Sequence, residues 1–375
     1  MTVPPDSASQ PAPSLSARLR QRIIDTGPIT FRDWMQTALY DREGGYYCRT
    51  DLTHWGRKGD YRTSPERSKL FGASFARYFA QLYKQLDEPN EWLIVEAGAG
   101  AGEFARTALE TLQSQYPAVF KATRYIVQEI SPASSSLAAE RLSDFHDCVQ
   151  FAPVGRFPFY ELGVIFSNEL LDAFPVHRVR VENGELRELY ITVDDGGTFS
   201  YVTGELSTPS LQTYFDLVGV ELEEGRTAEL NLEIANWFKQ TVNQLGKGFI
   251  VTVDYGDEAE NLYRSPDRRE GTLRAFRKHN FQEVLSEPGD SDITSTIDWT
   301  YVRRIGAELG LQEVLFERQD RFLLRAGMVE QLEAMTQRSL NEGERASLRT
   351  SARDMILPTG MASSFQVLVQ RKAEG

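Results

Sequence analysis

Trp92-Leu93-Ile94-Val95-Glu96-Ala97-Gly98-Ala99-Gly100-Ala101-Gly102-Glu103-Phe104 decides the fold. The stretch opens on a continuous apolar run, the pattern of a strand covered on both faces. Three glycines at alternate positions follow. Phe104, Ala105, Ala108, Leu109 and Leu112 then recur at helical spacing. A buried strand therefore runs through a glycine loop into a helix. Further along, Tyr125-Ile126-Val127 is the next strand, and Ser131-Pro132 opens a helix with a hydroxyl cap and a proline at the first helical position. Gly163-Val164-Ile165-Phe166 and Phe249-Ile250-Val251-Thr252-Val253 are two more buried strands. Strands and helices alternating at this pitch predict βαβ units, a parallel sheet and an α/β fold.

The chain has 375 residues, 41% apolar and 25% charged, the composition of a soluble globular protein with a large core. No apolar run approaches the roughly 18 residues of a membrane-spanning helix. The net charge of −13 argues against a non-specific nucleic-acid binder, which needs a basic footprint. Two cysteines, Cys48 and Cys148, exclude a disulfide scaffold and a Cys-rich zinc site. The simplest compartment on that count is a reducing cytoplasm. Four histidines show no metal spacing.

Four textures divide the chain. Residues 1–14, rich in Pro, Ser and Ala, read as a flexible tail; Asp6 and the early prolines argue against a transit peptide. Residues 15–90 form an N-terminal helical region, with apolar periodicity over Arg18–Ile24, Phe31–Leu39 and Phe71–Leu86. Between these lie a Gly44-Gly45-Tyr46-Tyr47 loop and a helix start at Ser64-Pro65. Residues 91–375 carry the sheet. An insertion at about 176–247 begins with a hairpin turning at Asn183-Gly184 and ends in an amphipathic helix near Leu232–Leu245. A polar, turn-rich stretch over about 257–296 reads as a long functional or mobile loop. One helix near 322–340 and a strand over Phe365–Val369 complete the pattern.

The glycine loop is a ligand site in two chemistries. Dinucleotide enzymes want G-x-G-x-x-G, but Glu103 stands where the third glycine would fall. The observed G-x-G-x-G follows Glu96, an acid two residues before Gly98. That is the pattern of S-adenosylmethionine (SAM) enzymes: an acid suits a cationic amino group and sulfonium and would repel a pyrophosphate. The alternative is a structural turn. Glu129, at the end of the second strand, is placed to accept from two ribose hydroxyls, or else simply favours a helix N-terminus. Asn168 and Glu169 end a further strand, on the edge that faces the ligand crevice. Asp172, three residues on, would share a face with Glu169 if the chain turned as a helix.

Asn168-Glu169-Leu170-Leu171-Asp172-Ala173-Phe174-Pro175-Val176 resembles the N-E-L-L-D-A-x-P-V signature of the MidA family. Gly59-Asp60-Tyr61-Arg62-Thr63-Ser64-Pro65-Glu66 with Leu70-Phe71-Gly72, then Val253-Asp254-Tyr255-Gly256, Gly271-Thr272-Leu273-Arg274, Asp292-Ile293-Thr294 and Ile297-Asp298-Trp299 are similar to its other blocks, in order. The resemblance spans the chain from about residue 20. Tyr61 replaces a family Phe, and Ala99 and Ala101 stand where the family loop often has Pro and Arg.

The resemblance implies a Rossmann-like class I SAM-dependent methyltransferase that acts on a protein arginine, as the family's mitochondrial complex I assembly-factor member does. The cofactor set would be Glu96, Gly98, Gly100, Gly102, Glu129 and Asn168, with Thr63 and Ser64, beside Glu66, closing over the amino-acid end or merely capping a helix. Glu169 would clamp the guanidinium and accept its proton. Asp172 would support it, or bind a nearby backbone N–H. Asp254 would line the acceptor side, and Asp292, Asp298 and His279 would shape its pocket. Two other readings keep the SAM site: a small-molecule methyltransferase, and an assembly factor without turnover. Expected partners are an arginine-bearing protein and, as a homodimer, a second copy; no nucleic acid, membrane span or metal is expected.

Overall fold

The computed structural model describes residues 13–51, 68–154, 159–277, 280–338, 341–357 and 364–373. The tail assigned to 1–14 falls outside the described residues as far as residue 12, and so do the helix start at Ser64-Pro65 and the whole Gly59–Glu66 block.

Seven strands build the central sheet: β1 (Trp92–Ala97), β2 (Thr123–Gln128), β3 (Val149–Phe151), β4 (Tyr160–Asn168), β5 (Leu245–Asp257), β6 (Gln312–Arg318) and β7 (Phe365–Lys372). They lie in the order β6-β7-β5-β4-β1-β2-β3. An eighth, short strand, Ile297–Asp298, runs parallel to the end of β5. β1 to β5 pair in parallel, and β7 is antiparallel to β5 and β6. The chain steps one way from β1 to β3 and the other way from β4. Between β1 and β4 the carboxyl ends diverge, which is where such sheets take their ligand.

Alternation along each strand feeds two cores. Trp92 and Ile94 face helix α3 (Lys69–Gln85) and helix α4 (Glu103–Gln115), while Val95 faces the opposite layer. The first core is aromatic: Phe104 stacks on Phe166 at 4.2 Å, with Phe75 and Phe79 around them. The insertion helix Glu233–Gln244 returns Phe238 and Val242 to the second core, against Ile165 and Ile250.

A third core lies off the sheet. Helices α1 (Leu15–Thr26) and α2 (Phe31–Tyr40) pack Leu19, Phe31, Trp34 and Met35 against Val176, Ile191, Phe199 and Ile293. The residues between them, Ile29–Thr30, add a strand to the insertion sheet by pairing with Glu185–Val193. The helices before β1 therefore serve two different cores. The insertion hairpin turns on Asn183 and Gly184, at φ 56° and 76°, the mirror-image turn whose twist suits a hairpin.

Two stretches are more structured than their sequence suggests. The polar segment after β5 holds a helix, Ala259–Arg264, and a small sheet of Arg274–Arg277, Asn280–Gln282 and Asp292–Thr294. The single helix expected near 322–340 is two, Gln319–Arg325 and Met328–Arg338, separated where Gly327 takes φ 87°. A further helix, Glu342–Ile356, follows.

Candidate active site

The glycine loop leaves β1 with Gly98, Gly100 and Gly102 at φ 72°, 54° and 80°, a region L side chains rarely adopt. Space for a side chain is tight as well. A Cβ on Gly98 would stand 2.9 Å from Leu170 Cδ1, and one on Gly102 3.1 Å from Ala138 Cβ. The loop is tied to the next strand: the N–H groups of Gly98 and Ala99 donate to the Gln128 carbonyl at 2.9 and 3.0 Å. Glu129 completes the tie. Its Oε2 accepts from the Gly100 N–H and its Oε1 from the Ser131 N–H, both at 2.7 Å. Burial pushes its carboxyl up, against the hydrogen bonds from Ser131, Gly100 and Ile130. A carboxylate has about four acceptor positions, so three donors leave one for a ribose hydroxyl. Ile130 follows directly, large, apolar and 42% exposed.

Glu96 is buried on β1 and accepts from the Tyr125 hydroxyl at 2.7 Å. Burial drives its pKa up to about 8; the Tyr125 hydrogen bond opposes this, and Glu103 and Glu129 add to it. Near neutral pH the carboxyl is largely protonated, and an arriving cation would favour its ionised form.

At the end of β4, Glu169 takes φ 51°, its N–H donating to the Val253 carbonyl at 2.9 Å. That left-handed residue prevents a helical continuation. Asp172 lies instead in a separate turn, Leu171–Ala173, so the shared helical face suggested by the spacing does not form. Asp254, at the end of β5, joins the two segments. Its Oδ2 accepts from the N–H groups of Leu171 and Asp172 at 3.0 and 3.3 Å, and its Oδ1 from Tyr255 at 2.9 Å. Burial, then the charges of Asp172 and Glu169, push Asp254 well above the usual carboxylate range. Asp254 thus binds backbone N–H groups, and so does Asp172, whose carboxyl accepts backbone hydrogen bonds from Ala173 and from its own N–H. Asp172 is also buried, but its Oδ1 has no hydrogen-bond partner among the described residues. Burial raises its carboxyl to about 6, opposed chiefly by the Tyr255 hydroxyl. Asn168 donates to Glu169 Oε1 at 3.1 Å, and its Oδ1 is buried without a partner among the described residues.

Residues not singled out for the site converge on the Leu171–Ala173 turn. Asn231 of the insertion donates to the Leu171 carbonyl at 2.9 Å, and the Ser295 N–H to the Asp172 carbonyl at 2.9 Å. The Tyr40 hydroxyl, from α2, donates to the Ala173 carbonyl at 2.9 Å. Tyr40 stacks on Tyr47, whose hydroxyl donates to Asp292 Oδ1 at 2.7 Å. Burial raises the Tyr40 phenol well above its usual value, and Asp292, Asp172 and Glu129 add to the effect, so three carboxylates lie within reach of its charge. The only sequence signal for this wall was the tyrosine-rich loop at Tyr46-Tyr47.

Asp292 thus joins the site and Asp298 does not. Asp298 caps the helix Trp299–Glu308 through the Tyr301 N–H and accepts from Tyr214 at 2.9 Å, inside the second core. Burial raises it to about 6. Thr63, Ser64, Glu66 and His279 lie outside the described residues. Among those described, no helix is long and apolar enough to cross a membrane.

A parallel sheet with an antiparallel last strand, a glycine-rich loop at its switch point, an acid near the end of β1 and another just after β2 define a class I SAM-dependent methyltransferase. The family model described as S-adenosyl-L-methionine-dependent methyltransferase matches residues 74–316, and the chain belongs to this family, the MidA family. It is 27% identical to the protein arginine methyltransferase NDUFAF7 homolog, mitochondrial, of Drosophila melanogaster, covering 95% of this chain and 84% of that one. It is 28% identical to protein arginine methyltransferase NDUFAF7, mitochondrial, of Xenopus tropicalis, covering 81% and 73%. A crystal structure from Burkholderia thailandensis, bound to S-adenosyl-homocysteine, superposes with a TM-score of 0.83 at 24% identity, over 98% of this chain and 96% of that one. The cofactor is SAM.

One expectation is overturned. These relatives are named mitochondrial, which contradicts a cytoplasmic location. A low cysteine count speaks of a reducing environment and does not say which compartment provides it.

Proposed function

We propose that the chain methylates a guanidinium nitrogen of an arginine in a protein partner, with Glu169 and Asp172 as the groups that hold the acceptor. The names of the relatives support an arginine acceptor. The observation that carries the reading is the buried, unpartnered Oδ1 of Asp172 beside Glu169 and Asp254. Unmatched buried acceptors are costly, and a guanidinium, with five N–H donors and a permanent charge, answers them.

SAM, when bound, supplies an electrophilic methyl group on a sulfonium. Gly98, Gly100 and Gly102 keep the loop backbone bare for it, Glu129 meets the ribose, Glu96 the amino-acid end, and Asn168 stands between cofactor and acceptor. Thr63 and Ser64 remain assigned to the amino-acid end by their resemblance alone. Glu169 orients the guanidinium in line with the methyl group, and orientation is the main catalytic resource for such a displacement. The methylated nitrogen must shed a proton, and in this reading the Glu169 carboxylate takes it. The fixed Leu171–Ala173 turn keeps Asp172 in position.

A Glu169→Gln variant tests this. Methyl transfer to protein should fall roughly 100-fold, with SAM affinity kept within about two-fold. An unchanged rate would remove Glu169 from the mechanism.

A further inference from the structure

We propose that Tyr40, stacked on Tyr47, is the aromatic wall on which the acceptor guanidinium lies, with Asp172 and Asp292 at its edges; this rests on the arginine-acceptor reading. Tyr40 ends α2, far in sequence from the strands that carry the catalytic acids. Its hydroxyl donates at 2.9 Å to the carbonyl of Ala173, the residue after Asp172. The Tyr40 and Tyr47 rings are 5.5 Å apart and 25° from parallel. Tyr47 is buried and fixed by Asp292 at 2.7 Å, whereas Tyr40, packed against the third core, is partly exposed. The Ser295 N–H, donating to the Asp172 carbonyl at 2.9 Å, ties the Asp292 strand to the same turn. The aromatic pair is therefore locked from behind, and the hydroxyl of its partly exposed member reaches the residue next to Asp172, whose buried Oδ1 has no partner among the described residues. The carboxylates that raise the Tyr40 phenol after burial, Asp292, Asp172 and Glu129, place it between the cofactor and acceptor sides.

A planar guanidinium can lie flat on a ring and still point its N–H edge at carboxylates in its plane. A lysine ammonium is a compact, strongly hydrated point charge and gains less from such a wall. Tyr40 is then a specificity-determining residue, selecting guanidinium over ammonium.

The test is calorimetric titration of ethylguanidinium and ethylammonium into the full chain saturated with S-adenosylhomocysteine. The wild type should bind ethylguanidinium more tightly than ethylammonium. Tyr40→Leu should weaken ethylguanidinium about ten-fold. Tyr40→Phe, which keeps the ring, should stay within about three-fold, and S-adenosylhomocysteine affinity should be unchanged in both, reporting that they fold. Equal ethylguanidinium affinity in wild type and Tyr40→Leu would overturn the role of Tyr40 and leave the arginine reading standing. So would a parallel loss of S-adenosylhomocysteine affinity, which would assign Tyr40 to the cofactor side. A wild type that binds no ethylguanidinium would remove the arginine reading, and this inference with it.

Discussion

Replacing Glu96 with Gln should stabilise the ligand-free chain at neutral pH and weaken its hold on SAM. Glu96 ordinarily titrates at 4.5 and is pushed to about 8 by burial in the fold. In the unfolded chain at pH 7 it is ionised, so folding must take up a proton. At about 1.4 kcal/mol per pH unit, that uptake costs about 3 kcal/mol at pH 7 and about 4 at pH 8, where the folded group is half ionised. Because the folded pKa is the higher one, the stabilising contribution is fully present below 4.5 and is lost as pH rises through about 8. Gln removes the titration and keeps an oxygen for Tyr125, while its buried amide N–H groups forfeit about 1 kcal/mol. The variant should therefore exceed wild type by about 2 kcal/mol at pH 7. That gap should widen toward pH 8 and vanish near pH 5. Urea denaturation across this window measures it. A gap that does not change with pH would refute the reasoning. Ligand binding should move the other way: without a carboxylate to meet the ammonium of SAM, affinity should fall about ten-fold. A residue that weakens the empty fold and strengthens the complex is placed for function.

Gly98→Ala should lose about 1–3 kcal/mol, since a Cβ would meet Leu170 and φ lies at 72°. Its SAM affinity should fall with it; a variant with wild-type melting temperature and affinity would contradict the loop geometry. Asn231→Ala removes the donor to the buried Leu171 carbonyl. It should cost about 1–3 kcal/mol of stability and slow methyl transfer without changing SAM affinity; loss of SAM binding instead would place Asn231 on the cofactor side.

What could be read from sequence is what neighbouring residues settle among themselves. Trp92 to Phe104 determine a buried strand, a bare loop and a helix by local pattern, and Glu129 follows from the end of the next strand. The acceptor side was harder. Glu169 and Asp172 were visible as acids, but their relation depends on one residue, Glu169 at φ 51°, which spacing does not disclose. Asp298 looked like a site acid from its block and is a helix cap, because the insertion tyrosine Tyr214 reaches it across the second core. Tyr40 and Asn231 reach the turn from elements distant in sequence, so only the packing of the insertion and the N-terminal helices brings them there. The split of the helix after β6 came from Gly327, an ordinary glycine in the pattern until its backbone conformation is known.

Transfer of labelled methyl from SAM into the lysate of a strain lacking this chain, resolved into protein and small-molecule fractions, tests the central claim most directly. Label is expected in a discrete protein band, released as methylarginine on hydrolysis. Label confined to small molecules, or none at all from a chain that binds SAM, would contradict it.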